Sequence, residues 1–300
     1  LVAVVAAGAI ALGGCGAGGS TTASDGRILA VGAENQYANV IEQVGGRYVQ
    51  VSAIESNPNT DPHTFEASPS VAETVAAAKL IVQNGVGYDT YMNKIESASE
   101  NGGRQVIVAQ KLLGLPESTP NPHLWYRPVT MPAVASALVA ALSKLQPDHA
   151  AYFQANAVRF ERSLQPWYAA IAHFRGRYPK TPVATTEPVG DYMLEAAGTK
   201  NETPFALQAD IMNGVDPAPQ SVTLQQSLFA GRAVKVFVYN QQVTDSLTES
   251  FLAEAKQHGV PVVGVYETMP VPGYDYQTWM LAEVKALERA VADKTSTQKL

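Results

Sequence analysis

The sequence predicts an α/β protein of two lobes, each a four-stranded, mainly parallel sheet flanked by helices, bridged by one long, rigid linking helix. Three observations carry that expectation. Short Val- and Ile-rich runs alternate with helical patterns in both halves of the chain. Those runs are nearly continuous in apolar character, as parallel strands covered on both faces are. Between the halves, one apolar stripe recurs at helical spacing from Phe153 to Tyr178.

Residues 1–14, LVAVVAAGAIALGG, carry no charge. As a helix they reach only about 21 Å, short of the ~20 residues a bilayer span needs, but they suit the apolar core of a signal peptide. The initiator Met and a positive leading region are missing, so the chain is expected to begin inside the signal. Leu12-Gly13-Gly14-Cys15 follows, then a Gly/Ser/Thr run to Gly26. Small residues before a Cys, with the chain's one Cys at that place, resemble a bacterial lipobox. Residues 15–26 are then a lipid anchor through Cys15 and a flexible tether. The protein is expected to be exported and held at the outer face of a bacterial cell membrane. One Cys also excludes an intrachain disulfide and a Cys-rich metal or redox site.

The first lobe is expected over residues 27–147, with strands at Arg27–Ala33, Arg47–Ile54, Lys79–Gln83 and Gln105–Ala109. Ser68-Pro69 sets a cap residue before Pro at a first helical position, ahead of Val71–Ala78. Thr130 is expected to cap the run Pro132–Leu145. Residues 148–178 form the linker. Phe153, Ala157, Phe160, Leu164, Trp167, Ile171, Phe174 and Tyr178 follow one another at alternating spacings of four and three. Such a helix runs about 38 Å at 1.5 Å per residue. Pro166 lies inside it, so a kink is expected near Arg162–Pro166. The second lobe is expected over residues 179–300, with strands at Pro182–Thr186, Phe205–Asp210, Ala233–Tyr239 and Pro261–Val265.

Charge excludes some functions. A net charge of −6 with no basic block makes general nucleic-acid binding a poor fit. The 46% hydrophobic fraction is ample for a core. The five histidines are few enough to weigh singly. His63 stands in Asp61-Pro62-His63 and His123 in Asn121-Pro122-His123. Composition predicts about 0.02 occurrences of [Asp/Asn]-Pro-His by chance, and there are two. Pro fixes its own φ and extends its predecessor, a stiff turn that aims the next side chain. An imidazole aimed in this way loses little entropy on binding a metal. Both motifs follow expected strand ends, where open α/β sheets bind ligands. In the second half, Glu187 follows Pro182–Thr186 and Glu267 follows Pro261–Val265, each beside Pro-stiffened turns. Two His and two Glu from four strand ends can form one mononuclear site in the cleft. Against this, loop histidines are commonly mere turn residues, and strand-end carboxylates also cap helices. His149 at a helix start, His173 in the linker and His258 before Gly259 read as structural, His258 through the helix dipole.

Taken together these motifs resemble the substrate-binding lipoproteins of zinc/manganese ABC transporters. The resemblance rests on the order of lipobox, Asp-Pro-His, Asn-Pro-His-x-Trp, linking helix, Thr-x-Glu and final Glu, and on Tyr276-Gln277-Thr278-Trp279-Met280 leading into a helix. It implies metal ligands at His63, His123, Glu187 and Glu267. It also implies one divalent transition metal ion, manganese or zinc, as cargo between the lobes, and no enzymatic turnover. The partner it implies is an ABC transporter permease in the membrane, served by a monomer. At Glu267 the chain departs from the family, which usually has Asp there, and it lacks the His-rich acidic loop common in zinc receptors. Two carboxylates among four ligands lean towards manganese, while the affinity order leans towards zinc. Two other readings share the same residues: a secreted metallohydrolase using the ion to activate water, and a receptor for a metal chelate. An adhesive role for the exposed lobes is compatible with the sequence too.

Overall fold

The computed structural model describes residues 25–270 and 272–300. The signal and lipobox readings, Cys15 included, lie outside the described residues. Within them, the chain forms two separate four-stranded sheets, every pairing parallel.

The first sheet and its helices run β1 (Ile28–Glu34), α1 (Asn35–Gly45), β2 (Val49–Glu55), α2 (Pro69–Ala77), β3 (Leu80–Gln83), α3 (Thr90–Ala98), β4 (Gln105–Val108), α4 (Ala109–Leu112) and α5 (Thr130–Leu145). Its strand order is β2-β1-β3-β4. Then come α6 (Ala150–Ser163) and α7 (Gln165–Arg177). The second sheet is built from β5 (Pro182–Thr185), α8 (Asp191–Ala196), β6 (Lys200–Asn201), α9 (Phe205–Met212), α10 (Pro219–Ala230), β7 (Val236–Asn240), α11 (Ser246–Gln257), β8 (Val262–Val265) and α12 (Tyr276–Asp293). Its order, β6-β5-β7-β8, matches the first.

The linker is two helices rather than one. The break falls at Leu164, and Pro166 sits in the first turn of α7, where a missing N–H costs nothing. The apolar stripe nevertheless stays in register through the break: all its members from Phe153 to Phe174 are buried. Helix α6 packs on α1 and α5, and α7 on α8 and α12, so the stripe joins the packing of both lobes. Full burial of a large apolar side chain is worth about 1.5–3 kcal/mol, which makes this connection a packed element and not a loose tether.

Two local expectations are corrected. Phe205–Asp210 is the start of α9, not a strand. Leu207, Gln208 and Ile211 are its buried residues, a helical spacing, and Ala, Leu, Gln and Met favour helix. The fourth strand of that sheet is the two-residue β6, too short and polar to leave a pattern. Thr130 opens α5 but does not cap it; its hydroxyl donates to the Leu124 carbonyl at 2.6 Å. Ser68 does cap α2, its hydroxyl accepting from the Val71 N–H. His258 lies at the C-terminus of α11, before Gly259 at φ +70°. His149 stacks on Tyr48 and His173 pairs with Glu288 at 3.1 Å.

Candidate metal centre

The carboxyl ends of the strands in both sheets face one another, and four loops meet there. From the first lobe come the loops after β2 and β4, which carry His63 and His123. In each, the residue before Pro has a definite task. The Asp61 carboxylate accepts the His63 N–H at 2.8 Å, and the Asn121 side-chain carbonyl accepts the His123 N–H at 3.0 Å. The Asx residue thus closes a small turn that Pro stiffens, and the imidazole leaves it in a fixed direction.

Glu267 comes from the loop after β8 and meets both rings. His63 Nε2 and His123 Nε2 each lie 3.2 Å from its Oε2. Among the described residues these three are the one group of acid or imidazole side chains whose donor atoms gather within 4.8 Å. His123 and Glu267 are fully buried, whereas 24% of the His63 side chain is exposed. The segment holding Glu267 is clamped from both lobes. The Gln242 side-chain carbonyl accepts the N–H groups of Glu267 and Thr268, and Gln36 donates to the Glu267 carbonyl. Asn35 exchanges two hydrogen bonds with the Met269 backbone, both 2.9 Å.

Glu187 is close but is not gathered with the other three. It is linked to Glu267 through Asn240, the last residue of β7. The two hydrogens of the Asn240 amide go to Glu187 Oε1 at 3.0 Å and Glu267 Oε1 at 2.8 Å. Glu187 Oε2 is buried without a partner among the described residues. Tyr88 donates to Glu267 Oε2 at 2.9 Å, completing a ring of groups around that one oxygen.

The tautomer of His123 decides what the gap between these groups accepts. Asn121 spends its side-chain N–H on the Pro188 carbonyl, so its oxygen faces His123 Nδ1 at 2.9 Å as an acceptor. The ring must donate from Nδ1, and the Nε2 lone pair is then aimed at Glu267 Oε2. With Nε2 unprotonated, two acceptors face each other across the gap, and a proton or a metal ion between them joins the pair. Burial raises the Glu267 carboxyl, but the two imidazoles outweigh this and hold it well below the usual range. Burial pulls His123 down, only partly opposed by Glu267. For His63 burial acts the same way, but Glu267 wins and the net shift is upward. Glu187 is pushed well up by burial and then by the Glu267 charge, with Asn240 opposing. The donor set, two imidazole nitrogens and carboxylate oxygens, is one that binds divalent transition metals.

The sequence matches the family described as "Zinc-uptake complex component A periplasmic" over residues 31–290. The chain belongs to that family. Among curated relatives, the zinc-binding protein TroA of Treponema pallidum is 24% identical over 152 residues, covering 49% of each chain. The manganese-binding lipoprotein MntA of Halalkalibacterium halodurans is 27% identical over 155 residues, 51% of each. Matched segments span from 33% to 66% of the curated relatives' lengths. The solved structure of the periplasmic zinc-binding protein TroA superposes with a TM-score of 0.74 at 17% identity, covering 91% of this chain and 100% of that one. This likeness establishes the two-lobed fold of the zinc-uptake family for the present chain.

Sequence reasoning missed Tyr88, Asn240 and Gln242. Only Asn240 left a trace, as the polar residue ending the apolar run of β7. Asn121 and Asp61 were visible inside the histidine motifs, but their hydrogen bonds were not.

Proposed function

We propose that this chain is the extracytoplasmic receptor of a metal importer, capturing one divalent transition metal ion, manganese or zinc, between its lobes and delivering it to a membrane permease. The observation that carries the reading is the pair of imidazole nitrogens at 3.2 Å from one buried carboxylate oxygen, with His123 locked in the Nδ1–H tautomer. The names of the relatives, zinc-binding for one and manganese-binding for another, support the same cargo class. The ligands in this reading are His63, His123, Glu267 and Glu187, the last offering its unpartnered Oε2 to the arriving ion. Lobes at residues 27–147 and 179–300, joined by 148–178, then close on the cargo. Binding and release take the place of turnover, so the protein is not an enzyme. Lipid attachment at Cys15 would keep the receptor beside its permease, and no helix among the described residues is long and apolar enough to cross a membrane.

Calorimetric titration with Zn²⁺ and Mn²⁺ tests the ligand set. The double variant His63→Ala/His123→Ala should lose tight binding altogether. Glu187→Gln, with one carboxylate fewer, should weaken it by about 10- to 100-fold, in the range for groups that ligate or orient a metal. Unchanged binding in the double variant would remove the centre from these residues.

A further inference from the structure

The ligand histidines leave the ends of β2 and β4, but β3, which lies between β1 and β4 in the sheet, sends a third loop to the same place. This loop, Asn84–Asp89, has an uncommon backbone. Gly85, Val86 and Gly87 all have positive φ, +82°, +57° and +75°. Glycine tolerates this, but a β-branched residue such as Val86 does not adopt it without strain. Strain of this kind persists only where the surroundings over-determine the conformation. Here they do. The Asp89 carboxylate accepts the N–H groups of Asn84 and Gly85 at 2.6 and 3.0 Å. The Asn84 side chain accepts from the Tyr37 hydroxyl at 2.7 Å and donates to the Pro122 carbonyl at 2.8 Å. Pro122 precedes His123, so the loop is fastened to the turn that aims that imidazole.

What the loop delivers is Tyr88. Its ring stands edge-on to His63, His123 and Trp125, with centroids 5.4, 5.8 and 5.0 Å away. Its hydroxyl crosses to the other lobe and donates to Glu267 Oε2 at 2.9 Å. That oxygen is the one both Nε2 atoms face, each at 3.2 Å. A carboxylate oxygen has two lone-pair directions, so three groups share two positions. On the other oxygen, Oε1, the Asn240 amide donates at 2.8 Å. Bringing both oxygens onto one ion needs the carboxylate to turn, and these two bonds oppose that.

We propose that Tyr88 is a specificity-determining positioning residue of the centre, its hydroxyl fixing Glu267 so that the acid meets the ion through Oε2 alone. The inference rests on the reading that the centre takes a divalent metal. An ion between the imidazoles and Oε2 takes the place the two rings share, and Tyr88 keeps its own. Its hold on Oε2 is then the same before and after capture. Tyr88→Phe keeps the ring and its packing and removes only the hydroxyl. In calorimetric competition with a chelator, it should bind Zn²⁺ about 10- to 100-fold more weakly than the wild type. Co²⁺ in place of Zn²⁺ gives a readout that packing alone does not move, because four-coordinate Co²⁺ absorbs visible light more strongly than Co²⁺ of higher coordination. The bands of the variant should weaken as the freed carboxylate turns to use both oxygens. The Zn²⁺-loaded crystal structure of the wild-type protein needs no variant to fold. It should show the Tyr88 hydroxyl still about 3 Å from Glu267 Oε2, and Glu267 on the ion through that oxygen alone. Zn²⁺ affinity within about twofold of wild type, or weaker binding with an unchanged Co²⁺ spectrum, would overturn the proposal. So would a loaded structure with Tyr88 turned away or Glu267 bound through both oxygens. Failure of the functional reading shows separately, as wild-type protein that takes up no metal or as His63→Ala/His123→Ala binding like wild type.

Discussion

Asn240 offers the sharpest perturbation of the centre, because one amide group holds both carboxylates. Its two N–H bonds, 3.0 Å to Glu187 and 2.8 Å to Glu267, are fully buried, and the one to the Glu267 carboxylate is charge-assisted. The Glu187 bond counts as neutral, because burial and the Glu267 charge push that carboxyl well up. A hydrogen bond to a charged group contributes about 1.5–3 kcal/mol and one to a neutral group about 0.5–1.5 kcal/mol, so Asn240→Ala removes about 2–4.5 kcal/mol of gross interaction. A net loss of about 2–4 kcal/mol in the stability of the metal-free protein at pH 7 is expected. Metal binding should fall too, because both carboxylates lose their orientation. Loss of an orienting partner weakens metal sites about 10- to 100-fold, which is about 1.4–2.7 kcal/mol. Denaturant titration of the metal-free protein and calorimetric titration with Zn²⁺ measure the two effects. If stability and Zn²⁺ affinity both stay within about twofold of wild type, the bridging role of Asn240 is refuted.

Two further outcomes depend on pH. Metal binding needs neutral imidazoles, and Glu267 outweighs burial to raise the His63 pKa above 6.5, while burial lowers that of His123. Below the raised pKa of His63 each bound metal must displace a proton, so affinity should fall about tenfold per pH unit as pH drops; a flat profile from about pH 8 to about pH 5.5 would contradict the ligand role of His63. Glu283 on α12 is fully buried, with Oε1 accepting from Trp279 at 3.0 Å and Tyr126 at 3.2 Å and Oε2 unpartnered among the described residues. Burial, partly opposed by those two bonds, raises it from 4.5 to about 8. Because the folded pKa lies above the unfolded one, stability is lost as pH rises from 4.5 to about 8. At about 1.4 kcal/mol per unit the full loss is on the order of 4–5 kcal/mol. Glu283→Gln, which resembles the protonated acid, should therefore stabilise the protein at about pH 8 and do little near pH 4.5; equal effects at both values in thermal melts would refute it.

What the sequence could reveal followed the reach of each signal. The strands at the core of each sheet were legible because burial on both faces leaves a continuous Val/Ile run, as in Leu80–Gln83 and Val236–Asn240. The linker was legible because its stripe extends over seven turns, and Pro166 marked the break. Strand β6 was not, since two polar residues carry no period, and Phe205–Asp210, six residues of mixed apolar and polar character, is too short for periodicity to separate helix from strand. Among site residues, the histidines announced themselves through a repeated turn motif whose chemistry is local. Tyr88 and Gln242 act across separations of 179 and 25 residues on Glu267, contacts created only by the docking of loops.

The same amide that joins the two carboxylates also limits what each can offer a metal. Asn240 takes one lone pair of Oε1 on both Glu187 and Glu267, so Oε2 is the less committed oxygen of Glu187, and in Glu267 it is the one that faces both rings. Two imidazole nitrogens and two single oxygens make a four-donor set, the number and type that tetrahedral zinc takes. Manganese favours more oxygens, which here would require a carboxylate to turn and bind through both atoms, breaking a buried 2.8–3.0 Å hydrogen bond. Glu267, one methylene longer than Asp, reaches the two rings while its other oxygen stays on Asn240. The longer side chain thus keeps the acid in single-oxygen use. On this reasoning Asn240→Ala lowers zinc affinity more than manganese affinity, because freeing both Oε1 atoms removes the constraint that excludes the higher coordination. A competition titration of the variant with both ions reads that ratio directly, and a ratio identical to wild type would show that denticity is set elsewhere.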